Sequence, residues 1–323
     1  MVNIGTNRFL VTGGTGSIGS EVVRTLLQRG AKHVTIFSRD DSKHFYLQQE
    51  LGVQEKIRYI IGDVRDRDSL SRAFEGGIDI VIHAAALKHV LISEQNPTEA
   101  VKTNIIGTQN VVDLAKQFGV KMMVTISTDK AVNPSSTMGA TKYIAEKLTL
   151  DGNSTGNTIF SCVRFGNVLG SRGSVIPSMI MSAITKRMIW ISDKRVTRFA
   201  MPIPEAANLI LDSLNLTKGG ETFVLSMKAF NLGELANAVQ LELGTEEQIK
   251  LETRGVIRAE KLHEDLLTTD EARRAYVLSR HIILAPSNDE SWTPPSNSEP
   301  FGTRRLCSDE APRFERHELQ TFI

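Results

Sequence analysis

Short apolar runs recur along the first half of the chain, each closed by a polar or glycine-rich turn: residues 8–11, 33–37, 57–61, 78–82, 122–126 and 158–163. Their length and near-continuous apolarity predict strands buried in a sheet. Between them the apolar positions change to helical spacing. One such pattern runs through Val22, Val23, Leu26 and Leu27 and is ended by Gly30; another runs through Val101, Ile105, Val111, Val112 and Leu114 as far as Gly119. The second opens on Asn96-Pro97-Thr98-Glu99, which reads as an N-cap, a proline at the first helical position and an acid at the third. A third helix carries Lys142, Ile144, Leu148 and Leu150. Strands joined by helical or crossover segments predict an α/β fold with a doubly wound parallel sheet.

Beyond residue 165 the pattern loosens. A further strand is expected at residues 222–225 and a helix at 232–243, while residues 286–300, rich in Pro, Asn, Asp and Ser, read as loop-forming or mobile. The last twenty residues carry no pattern that explains them. The expected organisation is a Rossmann-type cofactor domain over 1–165 and a smaller α/β, mainly substrate-binding region with a tail over 166–323, the segments of the two interleaving.

Composition narrows the class. The chain has 323 residues, 41% hydrophobic and 23% charged, ordinary values for a soluble globular protein. A net charge of +1 gives no electrostatic reason to expect nucleic acid or an anionic membrane as partner. Two cysteines, Cys162 and Cys307, with no CxxC spacing, exclude a disulfide framework and a cysteine-based zinc site, so no metal is expected and a reducing, cytoplasmic compartment fits. Cys162 sits in an apolar run and reads as a small buried hydrophobe. No window approaches the roughly 18 apolar residues of a membrane span, and no export signal opens the chain.

Chemistry enters with the glycines. Gly13, Gly16 and Gly19, with Thr15, Ser17 and Ile18 in the same turn, lie between a predicted strand and a predicted helix. That context lets backbone approach a pyrophosphate, which meets N–H groups at the helix start. The second strand ends at Ser38-Arg39, a hydroxyl and a guanidinium suited to a 2′-phosphate, so NADP is expected over NAD. The alternative is that Arg39 is a solvated surface charge. After the third strand, Asp63 is placed to accept from an adenine amino group, with Val64 beside it; after the fourth, the small side chains of Ala84, Ala85 and Ala86 let a dinucleotide lie against backbone. His83 and Asn104 read as structural: a core imidazole and a buried amide that serves backbone groups.

The fifth strand runs into Ser127-Thr128-Asp129-Lys130, followed by Met138-Gly139-Ala140-Thr141-Lys142. These polar groups fall at a strand's carboxyl end, where open α/β sheets bind ligands, and an acid with two lysines makes a proton-transfer set. Further on, Ser171-Arg172-Gly173-Ser174 and Lys194-Arg195-Val196-Thr197-Arg198 are compatible with a pocket for a phosphorylated or nucleotide substrate, and equally with scattered surface charge.

These segments together resemble the extended short-chain dehydrogenase/reductase superfamily, and within it the UDP-N-acetylglucosamine 4,6-dehydratases of polysaccharide and capsule biosynthesis. The likeness rests on TGGTGSIG at 12–19, GDVRD at 62–66, HAAALKHV at 83–90, STDKAVNP at 127–134, MGATK at 138–142, RFGNVLGSRGSVIP at 164–177, TRFAM at 197–201 and RAEKLHED at 258–265. The TDK triplet with GNVLGSRGSV is far more specific than the glycine loop. What the resemblance implies is a redox-neutral elimination: the C4 hydride passes to NADP, water leaves across C5 and C6, and the hydride returns to C6. Asp129 would be the acid at the C6 hydroxyl, Lys130 the base at C5, Thr128 a partner of the 4-oxygen, and Lys142 a partner of the nicotinamide ribose. Lys88, Asn167, Arg172, Arg198 and Glu260 would hold the UDP-sugar. A homo-oligomer, hexamer or dimer, is also implied, with the tail from about Pro286 available for contacts between subunits.

The departures are informative. Met138 stands where most of the superfamily has a tyrosine that takes the C4 proton, and a thioether cannot do so. Either Asp129 does that task, directly or through water, or the protein binds its ligands without turnover as a sensor or scaffold. Some dehydratases of this group share the methionine. Arg258-Ala259-Glu260-Lys261 replaces the usual RPGEK, and Ala200 the usual tryptophan, so the uridine and sugar pocket is expected to differ in shape. A nucleotide-sugar 4-epimerase is the enzymatic alternative.

Overall fold

The computed structural model describes residues 2–323 apart from 172, 245–247, 257 and 288. Each predicted apolar run is a strand: β1 (Arg8–Thr12), β2 (His33–Ser38), β3 (Ile57–Ile61), β4 (Ile80–His83), β5 (Met122–Thr128) and β6 (Ile159–Phe165). They pair in parallel in the order β3-β2-β1-β4-β5-β6, the doubly wound arrangement, and the strand Thr222–Leu225 extends it in parallel beside β6. Alternation along β1 sends Phe9 and Val11 to one apolar layer and Leu10 to the other, so helices cover both faces.

Three antiparallel strands from late in the chain, His281–Leu284, Ala275–Leu278 and Glu299–Pro300, complete the ten-stranded sheet. The described residues between 286 and 298 are largely loop, as the composition suggests, yet Trp292 is tied down through Nε1 to Glu221 at 2.9 Å. The remaining segments build a smaller layer around Ile176, Ile189, Val196, Phe230 and Leu235. The patternless tail folds back onto this layer: Leu306–Cys307 pairs with Asp265–Leu267, and Leu319 of the helix Arg316–Gln320 is buried there. No helix among the described residues is long and apolar enough to cross a membrane.

The helix expected from Asn96 departs from its prediction in two ways. Asn96 makes no side-chain cap; its Nδ2 instead donates back to the Ile92 carbonyl at 3.0 Å, closing the preceding helix Val90–Gln95. The run from Pro97 to Gln117 then contains a π-helical stretch, Val101–Ile106. The wider turn shifts the buried face, leaving Val101 and Ile106 exposed while Thr103 and Asn104 turn inward. Asn104 brackets Leu87, accepting from its N–H at 2.8 Å and donating to its carbonyl at 3.0 Å. That fixes the backbone beside the cleft, the structural role expected of this amide.

Candidate active site

A cleft of about 650 Å³ runs along the carboxyl ends of the parallel strands, from Gly13–Gly19 past Thr128, Lys130, Met138 and Lys142 to Asn167 and Ile176. Its first wall is the β1 turn and the start of α1 (Ser17–Gln28). Gly16 caps α1 with no side-chain acceptor, so the positive end of this helix is presented to the cleft. Side chains cannot replace the glycines. Gly13 has φ +68°, and a Cβ there would lie 2.7 Å from Ala85 N; a Cβ on Gly19 would lie 2.3 Å from Gly13 O. Such a cradle, with backbone and a helix end exposed and side chains excluded, fits a dinucleotide pyrophosphate.

A side lobe of about 170 Å³ lies at the ends of β1, β2 and β4, lined by Thr15, Ser38, Arg39, Lys43, Val64 and Ala84 to Ala86. Thr15 Oγ1 donates to Ser38 Oγ at 2.8 Å, linking the glycine turn to the β2 end. Arg39 and Lys43 both border this lobe; Lys43, one turn into the next helix, was not singled out in the sequence because a lone helical lysine reads as surface charge. Asp63 does not itself border the lobe, though Gly62 and Val64 on either side of it do. Its carboxylate takes Arg65 Nε at 2.9 Å and Nη2 at 2.7 Å and sits 3.5 Å from Arg39, and these cations outweigh burial to hold it below its ordinary pKa.

His83 is a satisfied core imidazole, as expected. It bridges Thr12 at 2.7 Å and Thr108 at 3.0 Å, and burial, aided by the charge on Lys142, lowers its pKa to about 3, so it stays neutral. Lys142 is buried on the helix Thr137–Asp151 and donates to the Ile126 carbonyl at 2.6 Å; burial lowers its pKa despite the nearby Glu146. Met138, one turn earlier, is buried on the same wall and brings no proton-transfer group to it.

The end of β5 brings the proton-transfer set together. Thr128 Oγ1 donates to Asp129 Oδ1 at 2.8 Å, and Lys130 Nζ donates to the same oxygen at 3.0 Å. Thr128 and Lys130 line the cleft, whereas Asp129 is 0% exposed and lies just behind them. Its Oδ2 has no hydrogen-bond partner among the described residues, and Gly166 leaves room for it: a Cβ there would be 3.2 Å from that oxygen and 2.5 Å from Phe199 Cβ. Lys130 also reaches Asn167 Oδ1 at 3.3 Å and Glu264 Oε1 at 3.6 Å. Burial works to lower its pKa, but Asp129 and Glu264 outweigh that and raise it, so the resting group is an ammonium.

Farther along, a lobe of about 490 Å³ joins the cleft at Asn167 and Ser174 and is walled by Trp190, Phe230, Arg198 and Glu260. Trp190, 41% exposed with the Arg254 guanidinium 5.3 Å over its ring, is an aromatic platform the sequence reading passed over. Arg198 borders the lobe but spends its donors on the protein, reaching Thr197 O at 2.7 Å, Lys261 O at 2.9 Å and Glu260 Oε1 at 3.0 Å. Lys88 lines the main cleft. Ala200 is buried in the strand Thr197–Pro202 and lies on none of these walls, while Arg172 falls outside the described residues. Glu264 was also missed, because nothing about a Glu in a charged loop signals that it folds back against Lys130. Among the described residues no group of three or more His, Cys, Asp or Glu side chains is placed to hold a metal ion.

Comparison with known proteins bears on the family and the fold. The model of a polysaccharide biosynthesis protein family matches residues 9–286. An uncharacterized membrane protein of Methanocaldococcus jannaschii is 45% identical, over 86% of this chain and 85% of its own length. A UDP-N-acetylglucosamine 4,6-dehydratase (inverting) of Campylobacter jejuni is 39% identical, over 86% of this chain and 82% of its own. Among solved structures, Pen from Bacillus thuringiensis superposes with a TM-score of 0.92 at 37% identity, covering 99% of this chain and 98% of that one.

Proposed function

Because the chain belongs to the polysaccharide biosynthesis protein family of extended short-chain dehydrogenases/reductases, which includes nucleotide-sugar dehydratases and epimerases, we propose that it is a UDP-N-acetylglucosamine 4,6-dehydratase. The observation that carries this reading is the pairing, on one stretch of strand end, of a buried carboxyl with a cleft-facing lysine. An elimination needs both an acid and a base at neighbouring carbons; a 4-epimerase has no use for an acid at C6.

NADP is the cofactor we infer: Ser38, Arg39 and Lys43 border the side lobe and would hold its 2′-phosphate, and the Gly13 to Gly19 turn would hold its pyrophosphate. When bound, it would supply a hydride acceptor for C4 of the sugar and a hydride donor for C6. The chain's own residues handle the protons. Thr128 meets the C4 hydroxyl and passes its proton on to Asp129, to which it is already hydrogen-bonded; this relay does the work that Met138 cannot. Lys130 serves C5. The proton gained by Asp129 leaves with the C6 hydroxyl as water. Trp190 and Phe230 offer apolar area to the nucleotide in the far lobe, and Asn167 and Lys88 offer polar contacts along the way.

Mass spectrometry of UDP-N-acetylglucosamine incubated with the purified protein and catalytic cofactor tests the reading. Loss of one water, with no net build-up of reduced cofactor, is expected. Unchanged mass with an inverted C4 would mean epimerisation, and unchanged substrate at saturating protein would remove both.

A further inference from the structure

Glu264 is buried against the catalytic lysine, yet no step above uses it. It is 3% exposed and is held from its backbone by the C-terminal segment: its N–H donates to Ser308 Oγ at 2.9 Å, and Ser308 N donates to its carbonyl at 2.8 Å. Ser308 is itself fixed to Thr197 through Oγ1 at 2.7 Å. The tail therefore sets where this carboxylate points. Oε1 lies 3.6 Å from Lys130 Nζ, and Oε2 lies 3.7 Å from Lys261 Nζ with no hydrogen-bond partner among the described residues.

Lys130 thus stands between two buried carboxylates that are differently engaged. Each keeps one oxygen without a hydrogen-bond partner among the described residues, Oδ2 of Asp129 and Oε2 of Glu264. Asp129, however, already accepts from Thr128 and Lys130 through Oδ1 and is claimed by the C4 proton, which leaves Glu264. A lysine that removes a proton from carbon must first be a neutral amine, and the resting Lys130 is an ammonium. Lys130 lines the cleft, so once a sugar covers it its proton needs an acceptor close by, and Asp129 and Glu264 are the carboxylates within 4 Å among the described residues.

We propose, resting on the dehydratase reading, that Glu264 is that acceptor and acts as the proton store of Lys130. An N–H bond of Lys130 breaks and an O–H bond forms on Glu264. The freed amine then takes the C5 proton, and the C5–H electron pair passes toward the C4 ketone and expels the C6 hydroxyl, which leaves as water with the proton held by Asp129. Lys130 returns its proton to C5 when the hydride reaches C6, and Glu264 gives its own back to the lysine. Atoms and charge balance with no outside reagent. Burial raises the Glu264 pKa and Asp129 adds to the rise, against the pull of Lys130, Arg198 and Lys261, which suits a group that must accept a proton from an ammonium.

The test is deuterium incorporation at C5 by the holoprotein turning over UDP-N-acetylglucosamine in deuterated water. With Glu264→Gln the rate at neutral pH is expected to fall about 10²-fold and to recover as pH rises, because solvent can then take the lysine proton; Glu264→Asp should regain part of the loss. A purely electrostatic role has the opposite sign. Removing the negative charge would make Lys130 easier to deprotonate, so an unchanged or faster rate at neutral pH overturns the proposal. Infrared difference spectra between the wild type and each variant, without sugar, give a second readout. A Glu264 carboxyl band that is absent at neutral pH and appears on acidification while still above the ordinary carboxylate range supports the store, and a Glu264 that is protonated at neutral pH or titrates in the ordinary range overturns it. If the wild type incorporates no deuterium at all, it is the dehydratase reading that fails, and the infrared result alone decides whether Glu264 holds a proton.

Discussion

Thr128 carries the sharpest demand at the scale of single residues. If its hydroxyl relays the C4 proton to Asp129, Thr128→Val, which keeps the shape and removes the hydroxyl, should lower kcat about 10²-fold with a much smaller change in KM. Steady-state kinetics of the variant checks this. A kcat within about twofold of wild type would mean that the proton leaves by another route. The residues of this set were legible because they are consecutive: a strand end followed by Thr-Asp-Lys states its geometry directly. Glu264 was not legible, since its place beside Lys130 depends on the Ser308 contacts made by a tail whose own sequence has no pattern. Asp63 stands after β3 as expected, and its carboxylate already accepts from Arg65, a pairing that its position alone does not reveal.

Among the elements, the turn after β2 is where the proposed preference for NADP can be tested. Arg39 and Lys43 are each about half exposed, lie 3.5 Å from Asp63 and 2.6 Å from Asp40, and both border the lobe beside Ser38. Replacing both with Ala should weaken NADP about 10- to 100-fold while leaving NAD binding nearly unchanged, the size expected for charge-assisted contacts to one phosphate. Calorimetric titration with each dinucleotide measures it, and an equal loss for both would assign the two cations to the surface. Strands and the main helices could be read from periodicity because burial on a sheet imposes it. The π-helical stretch Val101–Ile106 could not, since inserting a wider turn moves the buried face without leaving a mark in composition. The unused cap at Asn96 has the same origin: the motif was present, but the preceding helix claimed the amide.

Across the whole molecule, the parallel half of the sheet followed from the sequence, and the late strands did not. His281–Leu284, Ala275–Leu278 and Glu299–Pro300 are short, and their partners are set by tertiary contacts far along the chain. What the complete fold adds is enclosure. It brings the loop that carries Glu260 to Glu264, the strand that carries Arg198 and the C-terminal segment against the end of β5, so that a candidate set legible as three consecutive residues becomes a site with two carboxylates around one lysine. Whether this site eliminates water from a nucleotide sugar can be read in one experiment, proton NMR of the product formed from UDP-N-acetylglucosamine in deuterated water. A C6 methyl group beside a C4 ketone or its hydrate, with deuterium at C5, is expected; a product that keeps its C6 hydroxyl and carries no deuterium would contradict the elimination.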